Sequence, residues 1–428
     1  MFTCRHLLQL GLMAAFLTGC SSAQNRAATD TQLNAGAQPG SAAAALADGA
    51  VTRVRIGPPP GVGSASTIGS EGGAAPDNEQ LSAVAAPDGR MRADVQAFIQ
   101  QLSAERGLPA SQLTGALADA RYSATVARLI APPPGRKVSR SWITYRSRVV
   151  EPKRIGWGVE FWQENADALN QAAQRFGVPP AIIVGIIGVE TLYGRNMGSF
   201  RVLDALSTLA FDYPDPSKPE RAQMFRSQLA DFLTLAMQGR LDLQTQGSYA
   251  GAIGMPQFMP GSIMRYAVDG DGSGHIDLTN NPRDAILSVG NFLMEHGWER
   301  GRPVFAPVAL PADAGRLVDG GLAPTRTWPQ LQEAGATLGA AAMAGMAATD
   351  NGWQQGMLGV IDLPEESAGT AEYRTGTVNF FALTQYNHSY FYASSVADLA
   401  AAIQARMNGV AVRPAEVRPA QLNTPVDR

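Results

Sequence analysis

Apolar side chains recur at helical spacing along most of the chain between residues 91 and about 408. Asp94-Val-Gln-Ala-Phe-Ile-Gln-Gln-Leu102 sets its apolar residues three and four apart, the period of one buried helix face. Pro109 to Leu129 predicts further short helices, which Pro132-Pro-Pro134 stops. Trp142 to Tyr145 and Val159-Glu-Phe-Trp162 supply aromatic side chains. Asn165 to Phe176 reads as an amphipathic helix closed at Gly177, and Val178-Pro-Pro180 opens the next one with proline in its favoured first turn. That next helix departs from the pattern. Ala181 to Val189 is apolar on every face, so it is predicted to be buried all round. Residues 199–240 predict two more helices, broken by Tyr213-Pro-Asp-Pro-Ser-Lys-Pro219, and Pro282-Arg-Asp-Ala-Ile-Leu-Ser-Val-Gly-Asn-Phe-Leu293 predicts another. From Pro303 to Val378 the texture changes to short apolar runs between Gly and Pro, such as Gly356-Met-Leu-Gly-Val-Ile-Asp-Leu363. These predict strands of a small mixed subdomain. Helix returns at Val378, and Val396 to Arg406 closes the periodic region. The fold class is α+β, mainly α, without a 20–50-residue repeat.

The apolar run ends on one carboxylate, Glu190, followed at once by the glycine-punctuated Thr191-Leu-Tyr-Gly-Arg-Asn-Met-Gly198. Glu is almost never fully buried without a partner. An apolar wall disfavours the charged form and raises the pKa. A carboxyl that keeps its proton near neutral pH is the acid that glycosidic bond cleavage needs. The competing reading is a helix-terminal Glu that turns into solvent or pairs with Arg195.

Composition adds organisation. Residues 1–19 predict a lipoprotein signal peptide: Arg5 and His6 begin it, Leu7 to Phe16 is mostly apolar, and Leu17-Thr-Gly-Cys20 resembles a lipobox. Cys20 is then the acylated residue, and Ser21 after it implies an outer-membrane lipoprotein facing the periplasm. Residues 20–90 predict a disordered tether. They are rich in Ala, Gly, Ser and Pro and carry no aromatic residue, so they cannot offset their ordering entropy. A tether of about 70 residues reaches roughly 45–50 Å. Residues 409–428 predict a flexible tail. The two cysteines, Cys4 and Cys20, leave no disulfide for the folded region. The chain is 45% hydrophobic with a net charge of −3, which supports a core and argues against a nucleic-acid partner.

Three other stretches carry candidate chemistry. Asp269-Gly-Asp-Gly-Ser-Gly-His-Ile-Asp-Leu-Thr-Asn280 fits most of a calcium-binding EF-hand loop. Asp269, Asp271 and Ser273 stand at positions 1, 3 and 5, Gly274 at the turn, His275 at the carbonyl position and Asp277 at position 9. Asn280 replaces the bidentate Glu, and Asp284 is the candidate to fill its role. So many carboxylates around one turn repel each other without a cation, which points to a structural Ca2+. Gly247-Ser-Tyr-Ala-Gly-Ala-Ile-Gly-Met-Pro-Gln-Phe-Met-Pro260 is dense in glycine, which allows close approach of a substrate or of another backbone. Ser248 and Gln257 offer hydrogen bonds there. Tyr386-Asn-His-Ser-Tyr-Phe-Tyr392 suits sugar faces, and equally a core helix end.

Together these motifs resemble the type B membrane-bound lytic murein transglycosylases, glycoside hydrolase family 103. The resemblance rests on residues 185–191 with 194–195, 202–209, 247–254 with 257–260, the calcium-like loop and 386–389, in order over 91 to about 405. It implies a lysozyme-like core, a helical lobe and a small β-containing lobe (about 303–378), with the catalytic region spanning 91–408. The implied reaction is non-hydrolytic cleavage of the β-1,4 bond between N-acetylmuramic acid and N-acetylglucosamine in peptidoglycan, leaving 1,6-anhydromuramic ends. Glu190 is acid and then base. The resemblance also implies that Ser248 bonds Glu190 and that Gln257, Phe258, Tyr386, Asn387 and Tyr392 line the glycan groove. Arg221 is implied to touch the acidic peptide stem, beside an insertion at 214–219. Leu192-Tyr193 and Met255-Pro256 depart from relatives that carry Arg-Trp and Tyr-Gly. Partners are glycan strands, the membrane through the lipid anchor alone, and candidate cell-wall enzymes; no organic cofactor is expected. Asp204, Asp212 and Asp215 stay open as a second carboxylate. The alternatives are a hydrolytic muramidase and a non-catalytic peptidoglycan-binding lipoprotein. A dockerin-type partner module needs two calcium loops, and one is found.

Overall fold

A computed structural model of the protein describes residues 82–86, 88–131, 139–339 and 352–409. The predicted signal peptide, Cys20, most of the tether and the tail beyond 409 lie outside the described residues. The folded chain begins earlier than residue 91. Ala83 and Val84 are core residues, and Ser82 bridges to Arg121.

The first helices are α1 (Ala93–Arg106), α2 (Ala110–Ala118), α3 (Ala124–Ile130) and α4 (Trp142–Val149). Ser123 and Ser141 cap α3 and α4 with their side chains. Next come α5 (Pro152–Glu164), α6 (Ala166–Phe176) and α7 (Pro180–Thr191). Glu151 caps α5 by accepting from two backbone amides, and Gly177 ends α6 in the left-handed region. Every residue of α7 from Ala181 to Thr191 is buried. A helix without a polar face can lie only inside the molecule.

α8 (Val202–Phe211) and α9 (Pro219–Met237) pack on each other, and α10 (Pro260–Tyr266) packs on α9. α11 (Pro282–Glu295) lies on α6 and is capped by Asn281. The strands are few and antiparallel. β1 (Phe200–Arg201) pairs with β2 (Gln246–Gly247), and β3 (Val308–Ala309) with β4 (Thr337–Leu338). β5 (Leu358–Glu365) and β6 (Thr370–Thr377) form a hairpin in the register Leu358↔Thr377 to Glu365↔Thr370. α12 (Trp328–Glu333) sits in the same region as β3 and β4. A second apolar cluster around Leu317, Trp328, Leu331, Trp353 and Val360 gives this small lobe its own core.

The chain ends in α13 (Val378–Tyr386) and α14 (Tyr390–Met407). α14 packs directly on α7 and also touches α4, α5 and α13. Gly185 permits that approach, since a Cβ there would lie 3.0 Å from the Val396 carbonyl oxygen. Among the described residues, no single helix is long and apolar enough to cross a membrane.

Candidate active site

Glu190 occupies the last turn of α7 and is 7% exposed. Its Oε1 accepts a 2.6 Å hydrogen bond from the Tyr392 hydroxyl on α14. Its Oε2 is buried without a hydrogen-bond partner. Burial pushes the carboxyl up to about 8, and the Tyr392 hydrogen bond pulls it part of the way back. At neutral pH the group therefore holds a proton. Among the described residues, no other carboxylate acts on it. Asp204 is held by the Arg121 amide and Arg201, Asp212 by Arg92, and Asp215 by Ser217 and Lys218. Arg195 pairs with Glu160 at 3.6 Å, which removes the reading that it neutralises Glu190.

Phenols surround the acid. The rings of Tyr386 and Tyr392 stack with centroids 6.3 Å apart, and the Tyr386 hydroxyl donates to the Pro256 carbonyl at 2.6 Å. Burial raises the pKa of both phenols well above its ordinary value, and the neighbouring Glu190 charge adds to this. Tyr145 on α4 is a third. It is pushed up to about 12 by burial first and then by Glu190, and it shares a hydrogen bond with Ser395. Ser395 in turn donates to the Tyr392 carbonyl at 2.8 Å. Sequence reasoning missed Tyr145. Its signal was the aromatic pair of Trp142 and Tyr145 at (i, i+3) ahead of the buried helices.

The backbone after Glu190 is bent hard. Leu192 and Tyr193 both take left-handed φ values, 53° and 61°, without being glycine. Such strain persists only where the surroundings enforce it. Here the Tyr193 hydroxyl donates to the Arg154 carbonyl at 3.0 Å, and its ring lies where a Cβ on Gly188 would sit 2.4 Å from the hydroxyl. Thr191 ties the turn to the glycine-rich segment through a 3.0 Å bond to the Met255 carbonyl.

The other predicted site residues separate into groups. Tyr386, Asn387 and Tyr392 gather at the α13–α14 break beside Glu190, all buried, and Asn387 Oδ1 has no partner. The unpartnered Glu190 Oε2, carrying the proton, suits an acceptor oxygen of a sugar, and the unpartnered Asn387 Oδ1 suits a hydroxyl or amide donor. Ser248 is buried, but its hydroxyl accepts from the Ala252 amide and makes no bond to Glu190, so it shapes the 247–252 turn. Gln257 has φ 52° and donates to the carbonyls of Gly254 and Met197. Phe258 is 2% exposed and packs on Phe292 and Tyr386, so it supports the wall from behind and offers no face to a groove. Arg221, on the first turn of α9, donates to the Tyr213 hydroxyl and has no contact with this cluster.

The calcium-like segment forms a tight turn. Ligand atoms of Asp269, Asp271 and Asp284 all lie within 4.8 Å of one another. The Gly272, Ser273 and Gly274 amides donate to Asp269, and the Gly270 and Asp277 amides donate to fully buried Asp284. Ser273 donates to the His275 carbonyl. Asp277 departs from the expected ligand set: its carboxylate accepts from the Thr279 and Asn280 amides and the Asn280 side chain, and it stays outside the trio. The turn supports the active site directly, since the Met255 amide donates to the Leu278 carbonyl at 2.8 Å.

A lone protonated acid at the end of a core helix, walled by phenols in a mainly helical α+β fold, defines a glycan-cleaving enzyme of lysozyme-like architecture. Residues 90–401 match the family described as the transglycosylase SLT domain, and the chain belongs to that family. It is 39% identical over 321 residues to membrane-bound lytic murein transglycosylase B of Escherichia coli K12, covering 72% of this chain and 82% of the relative. The crystal structure of the soluble lytic transglycosylase SltB1 from Pseudomonas aeruginosa superposes with a TM-score of 0.64 at 38% identity, covering 74% of this chain and 100% of that one. The lytic transglycosylase Slt35 of Escherichia coli, solved in complex with calcium, gives 0.63 at 36% identity over 76% of this chain and 96% of that one.

Proposed function

We propose that this enzyme cleaves the β-1,4 bond between N-acetylmuramic acid and N-acetylglucosamine in peptidoglycan without water, with Glu190 as its one acid–base group. The observation that carries this reading is the solitary, desolvated carboxyl at Glu190, raised to about 8. The protonated Glu190 carboxyl donates to the glycosidic oxygen as the C1–O bond breaks. Its unpartnered Oε2 is the atom free to do so, because Oε1 is engaged by Tyr392. The muramic C6 hydroxyl then closes on C1 and returns its proton to the Glu190 carboxylate. A hydrolase of this type normally uses a second carboxylate to supply a nucleophile or activate water. An intramolecular hydroxyl needs neither, which agrees with a site where no other described carboxylate acts on Glu190. The buried phenols and Asn387 exclude water and orient the sugar.

Asp269, Asp271 and Asp284, with Ser273 and the His275 carbonyl, are the residues that would hold a calcium ion; the oxygen-only donor set and the convergence of three carboxylates fit a hard cation. Bound there, a calcium ion would neutralise the three carboxylates and so hold the turn under Met255. Lipidation of Cys20 would tether the enzyme to the outer membrane on the periplasmic side.

Glu190→Gln tests the central assignment. The variant is expected to fold and bind purified glycan strands while turnover of sacculi falls below detection. Retained turnover would remove Glu190 from the mechanism.

A further inference from the structure

Arg154 stands in the first turn of α5 and is 4% exposed. Its Nε and Nη1 are buried without a hydrogen-bond partner. It makes no ion pair among the described residues. A guanidinium keeps its charge in a protein, and an unpaired charge in the interior destabilises the fold that holds it. Three groups favour the charge: Tyr193, Glu151 and Tyr145, in that order. Glu151 is engaged elsewhere, since its carboxylate accepts the Lys153 and Arg154 amides at the head of α5. The two phenols remain, and both belong to the neighbourhood of Glu190. Tyr193 lies in the strained exit from α7, and its hydroxyl donates to the Arg154 carbonyl at 3.0 Å. A Cβ on Gly158, one turn further along α5, would meet that hydroxyl at 2.5 Å, so the ring is wedged against the helix that carries Arg154. Tyr145 feels both Arg154 and Glu190, which act on it in opposite directions. α5 packs on α7 and α14, the helices of Glu190 and Tyr392. Among the described residues, the titratable groups that share the field of Glu190 are Tyr145 of α4, Tyr386 of α13 and Tyr392 of α14; none belongs to α6 or α11, which also pack on α7.

We propose that Arg154 is a positioning residue for the reaction: its unpaired charge orients and polarises the Tyr145 hydroxyl, and through it supports the carboxylate that Glu190 becomes after giving its proton to the glycosidic oxygen. This rests on the reading of Glu190 as the glycan-cleaving acid. At rest Glu190 is neutral, and the buried cation has no anion to meet. Once the proton has left, a carboxylate stands in the same dry interior with one hydrogen bond, from Tyr392. A side-chain hydroxyl dipole orients in the local field, with its oxygen toward a cation and its hydrogen away. The support therefore grows only as charge develops on Glu190, which is the condition for an interaction to speed a step and not merely to tighten substrate binding. The same charge leaves the resting enzyme less stable than an apolar side chain at this position would, a trade of stability for activity.

The test uses the mature chain acting on purified sacculi. Arg154→Met removes the charge and keeps a long buried stem. It is expected to lower kcat about tenfold with KM changed by less than about twofold. Its Tm is expected to equal or exceed that of the parent, because an unpaired interior charge has gone. Activity is expected to fall with rising pH as Glu190 loses its proton, and in Arg154→Met this fall is expected to begin about one unit higher, since removing a cation favours the protonated carboxyl. Arg154→Lys is expected to restore most of kcat and to return the pH profile toward that of the parent. An arginine that only braces the fold predicts the opposite, a lowered Tm and an unmoved profile. A lowered Tm or failure to fold in Arg154→Met, an unchanged kcat, or an unmoved profile overturns the proposal. An inactive Glu190→Gln together with any of these results rejects the role of Arg154 alone. An active Glu190→Gln rejects the underlying reading.

Discussion

At the scale of single residues, the acidity of Glu190 links its proposed catalytic role to stability. Its folded pKa, about 8, stands above the ordinary 4.5. The native state therefore binds more protons than the unfolded chain between those values, and stability falls as pH rises. The contribution is fully present below about 4.5 and is lost by about pH 8. Each tenfold change in proton affinity is worth about 1.4 kcal/mol, so the contribution is roughly 3–5 kcal/mol. Glu190→Gln keeps an acceptor for Tyr392 and removes the titration. Its stability relative to the parent is expected to increase from pH 5 to pH 8 by a few kcal/mol, read by urea unfolding across that range. A pH-independent difference would mean that the carboxyl is not desolvated. The residue itself is legible in the sequence because a single Glu at the end of an all-apolar helix has few structural excuses. Its neighbours are less so. Ser248 has the right chemistry to bond Glu190, but the direction of a hydroxyl is set by the 247–252 turn, which no spacing rule reveals. Tyr145 reaches the site through tertiary packing from a helix far earlier in the chain.

At the scale of elements, helix periodicity places α6, α7, α8, α9 and α11 to within a few residues, while α14 begins at Tyr390, six residues before the expected Val396. The strained exit from α7 is hidden. Leu192 and Tyr193 are poor left-handed residues by sequence, and only the Tyr193–Arg154 bond and the notch at Gly188 explain them. Gly188→Ala would drive a Cβ into the Tyr193 ring. Alanine gains about 1 kcal/mol of helix propensity over glycine, but overpacking costs about 1–3 and a lost buried hydrogen bond about 1 more. The variant is expected to lose about 1–3 kcal/mol in chemical denaturation and to lower kcat, whereas a stabilised variant would show that the ring yields freely. The calcium-like turn makes its own prediction, because the Leu278 carbonyl holds the Met255 amide of the active-site segment. An ion bound only by the folded state stabilises it, by about 2.7 kcal/mol at one hundred times Kd. Calcium is expected to raise Tm and a chelator to reverse this, with Asp284→Asn abolishing the response. A Tm indifferent to calcium and chelator would reject the site.

At the scale of the whole molecule, the small lobe braces the catalytic wall. The β5–β6 hairpin grips α4 through Arg140–Glu366, Ser141–Glu365 and the Trp142 indole on Glu372. Asp398 on α14 joins Arg146 of α4 to Arg374 of β6. The helices that carry Tyr145 and Tyr392 are therefore locked to one hairpin, and through it to each other. The change of texture after Pro303 announces a separate lobe, but not its role as a clamp, since the charges that make it are far apart in the chain. Composition also misplaces the start of the folded region: Ala83 and Val84 sit in an alanine-rich stretch, yet the Ala83 amide donates to the Ala120 carbonyl and the Val84 carbonyl accepts from the Arg92 amide. On the proposed reading, this architecture serves a sugar whose own C6 hydroxyl attacks C1 beside a buried Glu190. Digestion of sacculi in water enriched in oxygen-18, followed by mass analysis of the released muropeptides, measures that step. Anhydromuramic ends free of the heavy isotope are expected; reducing ends that carry it would overturn the non-hydrolytic mechanism.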